Sequence, residues 1–218
     1  MRVLVTRARE GADRLSSRLR EAGFEPIECP LVRIEPLRGV RFQTAGYDWL
    51  VLTSRVAVRE ARRCLEGPWP KVAAVGPGTA EALREIGVEP AYVPDVHSQA
   101  GLVAGFPSGP GSVLFAGAEG ASMALAEALA ADFVPLYRTV ESPSTSLPAA
   151  ELAVVASASA ARALSVFGEQ VPPCVSIGPS TSAAARQAGL RVVAEARASD
   201  LDGLIQAVTM AASRLSHS

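Results

Sequence analysis

The sequence predicts an α/β protein made of two similar halves, each built on a parallel sheet. Short runs of Val, Leu and Ala alternate with amphipathic stretches of about ten residues that end at glycine. This alternation is typical of strands followed by helices in a parallel sheet. An internal repeat indicates the two halves, since Gly76-Pro77-Gly78-Thr79 returns 102 positions later as Gly178-Pro179-Ser180-Thr181. Two copies of roughly 105 residues are each large enough to form a domain.

In chain order, the pattern predicts ten strands, five for each of two sheets, and eight helices. The first helix is expected at 11–22, where Ala12, Leu15 and Leu19 recur at helical spacing. The strands are expected at 2–6, 25–29, 49–53, 72–75, 91–93, 112–116, 133–137, 153–156, 174–177 and 192–194. The other helices are expected at 55–65, 78–86, 98–105, 119–131, 158–167, 180–188 and 200–215, with Ser54, Ser98, Ser157 and Ser199 as N-caps.

Two segments interrupt this rhythm, at 31–46 and 140–149, and both contain proline. We interpret them as crossings between two lobes, because proline and glycine break regular elements. A cleft between the two lobes is then expected.

Composition indicates a globular protein and argues against several function classes. The chain is 49% apolar and 20% charged, and its net charge of -1 gives no general basic surface, so we expect no nucleic-acid partner. Cys29, Cys64 and Cys174 show no CxxC spacing and are expected to be buried thiols. No apolar run reaches the roughly 20 residues of a spanning helix, and the N-terminus does not resemble a signal peptide. We therefore expect a cytoplasmic monomer with no membrane partner.

Candidate ligand-binding residues lie where strands are predicted to run into helices. At these carboxyl ends of parallel strands, the next helix presents backbone N–H groups and the positive end of its dipole. Small residues and hydroxyls there would bind an anion without lysines. The alternative is that the serines and threonines only cap helices. The candidates are Thr53, Ser54, Arg55, Gly76, Pro77, Gly78, Thr79, Ser157, Ala158, Gly178, Pro179, Ser180 and Thr181.

Three further side chains could reach the same edges. Arg7 follows the first strand, and Tyr137 and Arg138 end another; the alternatives are surface charges and an aromatic plug at the domain junction. The glycine loops match neither GxGxxG nor GxxxxGK[ST], which argues against a nucleotide enzyme. With His97 and His217 as the only histidines, we expect no metal site.

Taken together, several segments resemble uroporphyrinogen-III synthases in order and spacing over nearly the whole chain. The segments are VLVTRARE, DWLVLTSRVAVRE, KVAAVGPGTAEALREIGVEPAYVPD, VPLYRTV, LAVVASASAARAL and VSIGPSTSAAARQAGL. The resemblance implies two flavodoxin-like α/β domains with parallel five-stranded sheets, joined by two extended linkers. One domain would be discontinuous, at 1–35 plus 142–218, and the inserted domain would span 38–138.

The resemblance also implies an activity. Members of that family close the linear tetrapyrrole hydroxymethylbilane to uroporphyrinogen III, losing water and inverting the last pyrrole ring, without a cofactor. Tyr137 matches the family's tyrosine and is our candidate catalytic residue, while Thr79, Thr181 and Ser157 match its loop hydroxyls. Two alternatives stay open: a non-catalytic two-lobed binding protein for an anionic small molecule, and a sugar- or nucleotide-phosphate transferase that uses the glycine loops.

Overall fold

The computed structural model describes residues 1–142, 144 and 146–215, and gives only the backbone of 9–11. These residues form twelve strands, eight α-helices and a short 3-10 turn at Gly168–Gln170. The helices are α1 (Arg9–Glu21), α2 (Arg55–Cys64), α3 (Pro77–Glu85), α4 (Gln99–Ala104), α5 (Ala124–Ala128), α6 (Ala158–Ser165), α7 (Pro179–Gln187) and α8 (Leu201–Leu215). The strands are β1 (Arg2–Val5), β2 (Glu25–Glu28), β3 (Val32–Pro36), β4 (Phe42–Gln43), β5 (Trp49–Leu52), β6 (Leu65–Glu66), β7 (Lys71–Ala74), β8 (Val113–Ala118), β9 (Asp132–Glu141), β10 (Leu152–Val155), β11 (Cys174–Ser176) and β12 (Val192–Glu195).

The chain divides into two compact units. The first consists of Met1–Ile34 and Val140–Ser218, and the second is Glu35–Thr139. The chain passes between them twice, once within β3 and once within β9.

The first unit is built on a parallel sheet in the order β12-β11-β10-β1-β2. Its central strands are buried on both faces, which explains their continuous apolar sequence. Alternate residues face opposite sides: Val3 and Val5 pack with α1 and α8, whereas Leu4 packs in the cluster that includes α6 and α7.

The second unit has the sheet order β3-β9-β8-β5-β7, in which β5, β7, β8 and β9 run parallel. Trp49, Val51 and Phe115 pack on one side with Leu102 of α4 and Leu125 of α5. β4 and β6 form a separate two-stranded sheet. The predicted α/β class with parallel sheets is confirmed in both units.

Three predicted elements need correction. The segment 91–93 forms only an isolated bridge between Tyr92 and Ala73, because the prolines on either side of it restrict the ladder. The predicted crossing at 31–46 does contain a unit boundary, but part of it forms strand β3, which lies beside β9 and takes the fifth place in the sheet. The helix expected at 119–131 is only α5, since a turn around Gly120 precedes it.

Three of the four serines that were predicted to be helix N-caps are confirmed. The hydroxyls of Ser54, Ser98 and Ser157 each accept a hydrogen bond from the backbone N–H three residues later. Ser199 was wrongly predicted: Asp200 accepts from the N–H of Gly203 at the start of α8. A carboxylate performs the same task as a hydroxyl at this position.

Candidate functional site

In the second unit, Ser54 and Tyr137 meet at the carboxyl edge of the sheet. Ser54 follows β5, and Tyr137 on β9 pairs with Ala118 at the end of β8, so the parallel strands bring both residues to one edge. The Ser54 and Tyr137 hydroxyl oxygens are 3.0 Å apart, and Ser54 Oγ also accepts the Ala57 N–H at 2.9 Å. This contact links residues 83 positions apart in the sequence.

Burial raises the pKa of Tyr137, whose side chain is 7% exposed. The Ser54 hydrogen bond and the positive charge of Arg59 lower this pKa, and the charge of Glu60 raises it. Tyr137 is therefore a protonated phenol at neutral pH, able to donate a hydrogen bond.

The two Gly-Pro turns start α3 and α7 in the same way. Gly76 and Gly178 are the N-cap residues, with extended backbones and no side-chain cap, and proline stands at the first helical position of each helix. A Cβ on Gly76 would lie 3.2 Å from His97 Cβ, and one on Gly178 would lie 2.6 Å from Ser199 Oγ. A side chain at either position would therefore require the neighbouring side chain to shift.

Thr79 and Thr181 occupy the third position of these helices and are 5% and 4% exposed. No residue that the structure describes is hydrogen-bonded to either hydroxyl, and no fully buried side-chain oxygen there lacks a partner. Neither hydroxyl oxygen is therefore fully enclosed without a partner, and the binding role of both threonines stays a prediction. Helix N-terminal N–H groups beside them favour an anion.

In the first unit, Arg7 and Ser157 follow the adjacent parallel strands β1 and β10, and Gly178 follows β11. Ser157 Oγ caps α6 and lies 3.1 Å from Ser159 Oγ. Burial lowers the pKa of the Arg7 guanidinium, and no ion pair to it is found within the described ranges. The predicted residues of this half therefore share one sheet edge.

Two of the predicted arginines have carboxylate partners. Arg55 donates to the carbonyl of Gly78 at 3.0 Å and pairs with Glu81 and Glu85, so it ties α2 to α3. Arg138 pairs with Glu35 at 2.9 Å. A ligand carboxylate would have to compete with these partners, and the binding role of both arginines stays a prediction.

Sequence reasoning missed the cluster around Glu60. This carboxylate is 1% exposed and accepts from Arg59 at 2.8 Å and from Arg63 at 3.3 Å. A signal was present, because Glu60 falls on the face of α2 that also carries Ala57, Ala61 and Cys64. An acidic residue on a buried face is rare unless it is paired.

Within the described ranges, no group of three or more His, Cys, Asp or Glu residues is placed to hold a metal ion. His217 lies outside those ranges. None of the described helices is long and apolar enough to cross a membrane.

Comparison with known proteins assigns the family. Residues 13–206 match the family model described as Uroporphyrinogen-III synthase HemD. The chain belongs to the uroporphyrinogen-III synthase family. The porphyrin biosynthesis protein HemD of Ruminiclostridium josui is 28% identical over 94% of this chain and 47% of its own length. A uroporphyrinogen-III synthase of Synechococcus elongatus is 32% identical over 48% of this chain and 45% of its own length. The chain thus spans about half the length of the curated relatives that it matches.

Solved structures of uroporphyrinogen-III synthases share the fold. A mutant enzyme from the extremely thermophilic bacterium Thermus thermophilus has a TM-score of 0.60 at 20% identity, covering 98% of this chain and 99% of that one. The Helicobacter pylori protein has a TM-score of 0.66 at 17% identity, covering 96% and 99%. At these identities the similarity shows the α/β fold.

Proposed function

We propose that this chain is a cytoplasmic enzyme that cyclises hydroxymethylbilane to uroporphyrinogen III, with inversion of the terminal pyrrole ring and loss of water. Membership of the family supports the reaction class. The structural observation that carries the proposal is the Ser54–Tyr137 hydrogen bond at a sheet edge that also holds the Thr79 hydroxyl. This edge offers one hydrogen-bond donor for the chemistry and helix N-termini for anionic groups.

The substrate supplies most of the reactivity. A pyrrole nitrogen pushes its electron pair toward the terminal carbon, the carbon–oxygen bond breaks with its electrons on oxygen, and the pyrrole N–H proton leaves with that oxygen as water. The electrophilic carbon then bonds to the substituted carbon of the last ring, giving a spiro intermediate. The bond from that carbon to its original methylene breaks, the methylene bonds to the free α carbon of the same ring, and the proton of that α carbon returns to a pyrrole nitrogen, which leaves the ring inverted. Holding the tetrapyrrole so that this substituted carbon lies nearest the electrophilic carbon can contribute roughly 7–11 kcal/mol of barrier reduction.

We assign to Tyr137 the role of hydrogen-bond donor to the hydroxyl that leaves the substrate. If Ser54 donates to the phenol oxygen, the Tyr137 O–H is left to donate to the departing oxygen. A positioned donor of this kind contributes about 10²–10⁴ in rate. No cofactor enters this scheme.

The substrate's acetate and propionate groups are assigned to the helix starts of both units. In the second unit these are at Thr53–Arg55 and Gly76–Thr79; in the first they are at Ser157–Ala158 and Gly178–Thr181. Arg7 supports this assignment, because its partly buried guanidinium has no ion pair among the described residues and a ligand carboxylate would compensate its charge.

We also propose that the two compact units are flavodoxin-like domains, one discontinuous and one inserted. Support comes from strand order. When the five strands of the first sheet are numbered along the chain, they lie in the order 2-1-3-4-5, which is the order of flavodoxin-like sheets. In the second sheet, the neighbouring strands β7, β5, β8 and β9 follow the order 2-1-3-4 in the same way. The unit boundaries fall within β3 and β9, near the expected linkers.

The test is the isomer formed. The chain is mixed with enzymatically generated hydroxymethylbilane, and the oxidised products are resolved by isomer. We expect predominantly type III from the wild type, and from Tyr137→Phe a rate lowered by about 10²-fold or more with product binding retained. Type I alone from the wild type would establish a binding protein, and full activity of Tyr137→Phe would remove Tyr137 from the mechanism.

A further inference from the structure

We propose that Ser54 is a positioning residue of this site: its hydroxyl accepts a hydrogen bond from the first turn of α2, donates to the phenol oxygen of Tyr137, and so directs the Tyr137 proton to the leaving hydroxyl. The proposal rests on the proposed function and deepens it. Ser54 then acts through Tyr137 and does not make the ligand contact that the strand-end pattern predicts.

Two groups of the protein already contact the Ser54 hydroxyl. Its oxygen accepts the Ala57 N–H at 2.9 Å and lies 3.0 Å from the Tyr137 hydroxyl oxygen. A serine hydroxyl has one proton to donate and two lone pairs that accept. Because a substrate carboxylate only accepts hydrogen bonds, it could bind Ser54 only by taking this proton from Tyr137. The backbone N–H groups of the helix start do not have this conflict.

Two arrangements of the protons fit the contact between Ser54 and Tyr137. If Tyr137 donates, the phenol proton is used within the protein, and the Ser54 proton has no other acceptor among the described residues. If Ser54 donates, the phenol proton is the one left without an acceptor there. The Tyr137 side chain is only 7% exposed, so the second arrangement leaves a buried donor for a ligand to satisfy. A bound substrate hydroxyl therefore selects the arrangement in which Ser54 donates.

The position of Ser54 at the start of α2 strengthens this donation. Ser54 is the N-cap of a ten-residue helix, Arg55–Cys64, and the Ala57 N–H belongs to the positive end of its dipole. An oxygen that accepts a hydrogen bond becomes a better donor, because successive bonds polarise one another. The hydrogen bonds thus form one series, from the Ala57 N–H through Ser54 and Tyr137 to the departing oxygen.

The pKa of Tyr137 agrees with this direction. Burial has the largest effect and raises the pKa, and the Ser54 hydrogen bond lowers it. A hydrogen bond lowers the pKa of a phenol when the donor stabilises the charged form of its oxygen. The same donor stabilises the partial negative charge that this oxygen gains while it donates to the substrate.

The role in the reaction requires no proton from the protein. When the carbon–oxygen bond of the substrate breaks, negative charge collects on the departing oxygen, which accepts the hydrogen bond from Tyr137. The proton that completes the water is the pyrrole N–H proton, so Ser54 and Tyr137 keep theirs. Ser54 strengthens the Tyr137 donor only as that charge develops.

The experiment compares Ser54→Ala and Ser54→Thr with Ser54→Ala in the Tyr137→Phe background. Ser98→Ala is the matched control, because Ser98 caps α4 through the Gly101 N–H at 3.0 Å and has no contact with Tyr137. One readout is the titration of Tyr137, followed by NMR of tyrosine labelled with ¹³C at Cζ and assigned with Tyr137→Phe. The other is kcat and KM for type III formation.

We expect Ser54→Ala to titrate at higher pH and to lose about 3- to 10-fold in kcat, the contribution of one hydrogen bond, with KM little changed. Ser54→Thr keeps the hydroxyl and should restore most of kcat. In the Tyr137→Phe background, Ser54→Ala should cause no further loss, because the group through which it acts is gone. Ser98→Ala should lower stability in urea through loss of its cap, yet keep the wild-type titration and kcat.

Four results would overturn the proposal: an unchanged Tyr137 titration in Ser54→Ala, a raised KM with full kcat, an equal kcat loss from Ser54→Ala with and without Tyr137, or the same kcat loss in Ser98→Ala. A raised KM alone would indicate that Ser54 binds the ligand directly. Failure of the proposed function gives a different result, because the wild type itself would then form no type III isomer. The titration needs no substrate, so it reports on Ser54 in either case.

Discussion

The polar side chains of the candidate site differ in whether they already form ion pairs or hydrogen bonds within the protein. Arg55 and Arg138 are held by carboxylates, whereas no described residue bonds to the hydroxyls of Thr79 and Thr181. Ser54 hydrogen-bonds the Tyr137 oxygen, and if Ser54 is the donor, the phenol is left to donate its own proton to a ligand. At the residue scale, the threonine hydroxyls and the phenol are therefore better candidates for direct ligand contact than these two arginines.

Cys174 offers a residue-scale prediction about alkaline stability. Burial raises the pKa of Cys174 from 9.0 to about 12, so the folded state keeps the thiol proton while the unfolded state loses it above pH 9. The unfolded state then binds fewer protons, and the free energy of unfolding falls as pH rises from 9 toward 12, by about 4 kcal/mol for this group. Urea unfolding across this pH range should show a shallower decline for Cys174→Ala than for the wild type.

Cys64→Ala is the control, because it keeps the Cys174 thiol and should retain most of the wild-type decline. The slope with pH is the quantity to compare, since each alanine also changes core packing. Parallel declines for the wild type and Cys174→Ala would contradict the assignment.

At the scale of elements, α4 and α8 begin with the same construction, although their sequences differ. At the start of α4, Ser98 Oγ accepts the Gly101 N–H at 3.0 Å, and at the start of α8, Asp200 Oδ1 accepts the Gly203 N–H at 2.8 Å. In both helices the glycine allows a preceding carbonyl to approach closely. The internal repeat therefore preserves a backbone geometry while it exchanges the capping group.

The shared construction predicts that both glycines are required. A Cβ on Gly101 would lie 2.1 Å from the carbonyl oxygen of Val96, and one on Gly203 would lie 2.4 Å from that of Ala198. We expect Gly101→Ala and Gly203→Ala each to lower the free energy of unfolding by about 1–3 kcal/mol in urea titrations. Gly120→Ala should be close to neutral, since nothing lies within 4 Å of its Cβ position. Wild-type stability of both variants would refute this reading of the repeat.

At the scale of the whole molecule, each compact unit carries its own threonine at a Gly-Pro turn. If both units bind carboxylates of one substrate, removing the two hydroxyls should weaken the same binding event. The effects of distant, independent sites on binding free energy add.

The prediction uses Thr79→Val, Thr181→Val and the double variant. Each single change should weaken product binding about 10- to 150-fold, the loss of one hydrogen bond to a charged group, and the double variant should show the product of the two factors. Anaerobic isothermal titration measures these affinities. Stability in urea should stay near that of the wild type, because neither hydroxyl is hydrogen-bonded to a residue that the structure describes.

Thr6→Val is the matched control, since Thr6 is fully buried and its Oγ1 donates to the Val154 carbonyl at 2.9 Å. It should lower the free energy of unfolding by about 1 kcal/mol and leave affinity unchanged. If either site variant binds product as tightly as the wild type, its unit does not use the threonine for binding.

The amino-acid sequence determined the α/β class, most helices and strands, three helix caps and the glycine loops at the strand ends. These features depend on periodicity and on the hydrogen-bonding needs of neighbouring residues, which a single stretch of chain expresses. Only the tertiary structure decided that β3 and not 91–93 completes the second sheet, that Ser54 contacts Tyr137, and that Glu60 is buried between two arginines. Strand order and the Ser54–Tyr137 contact join distant parts of the chain, and the burial of Glu60 depends on how α2 packs, so no local pattern specifies them.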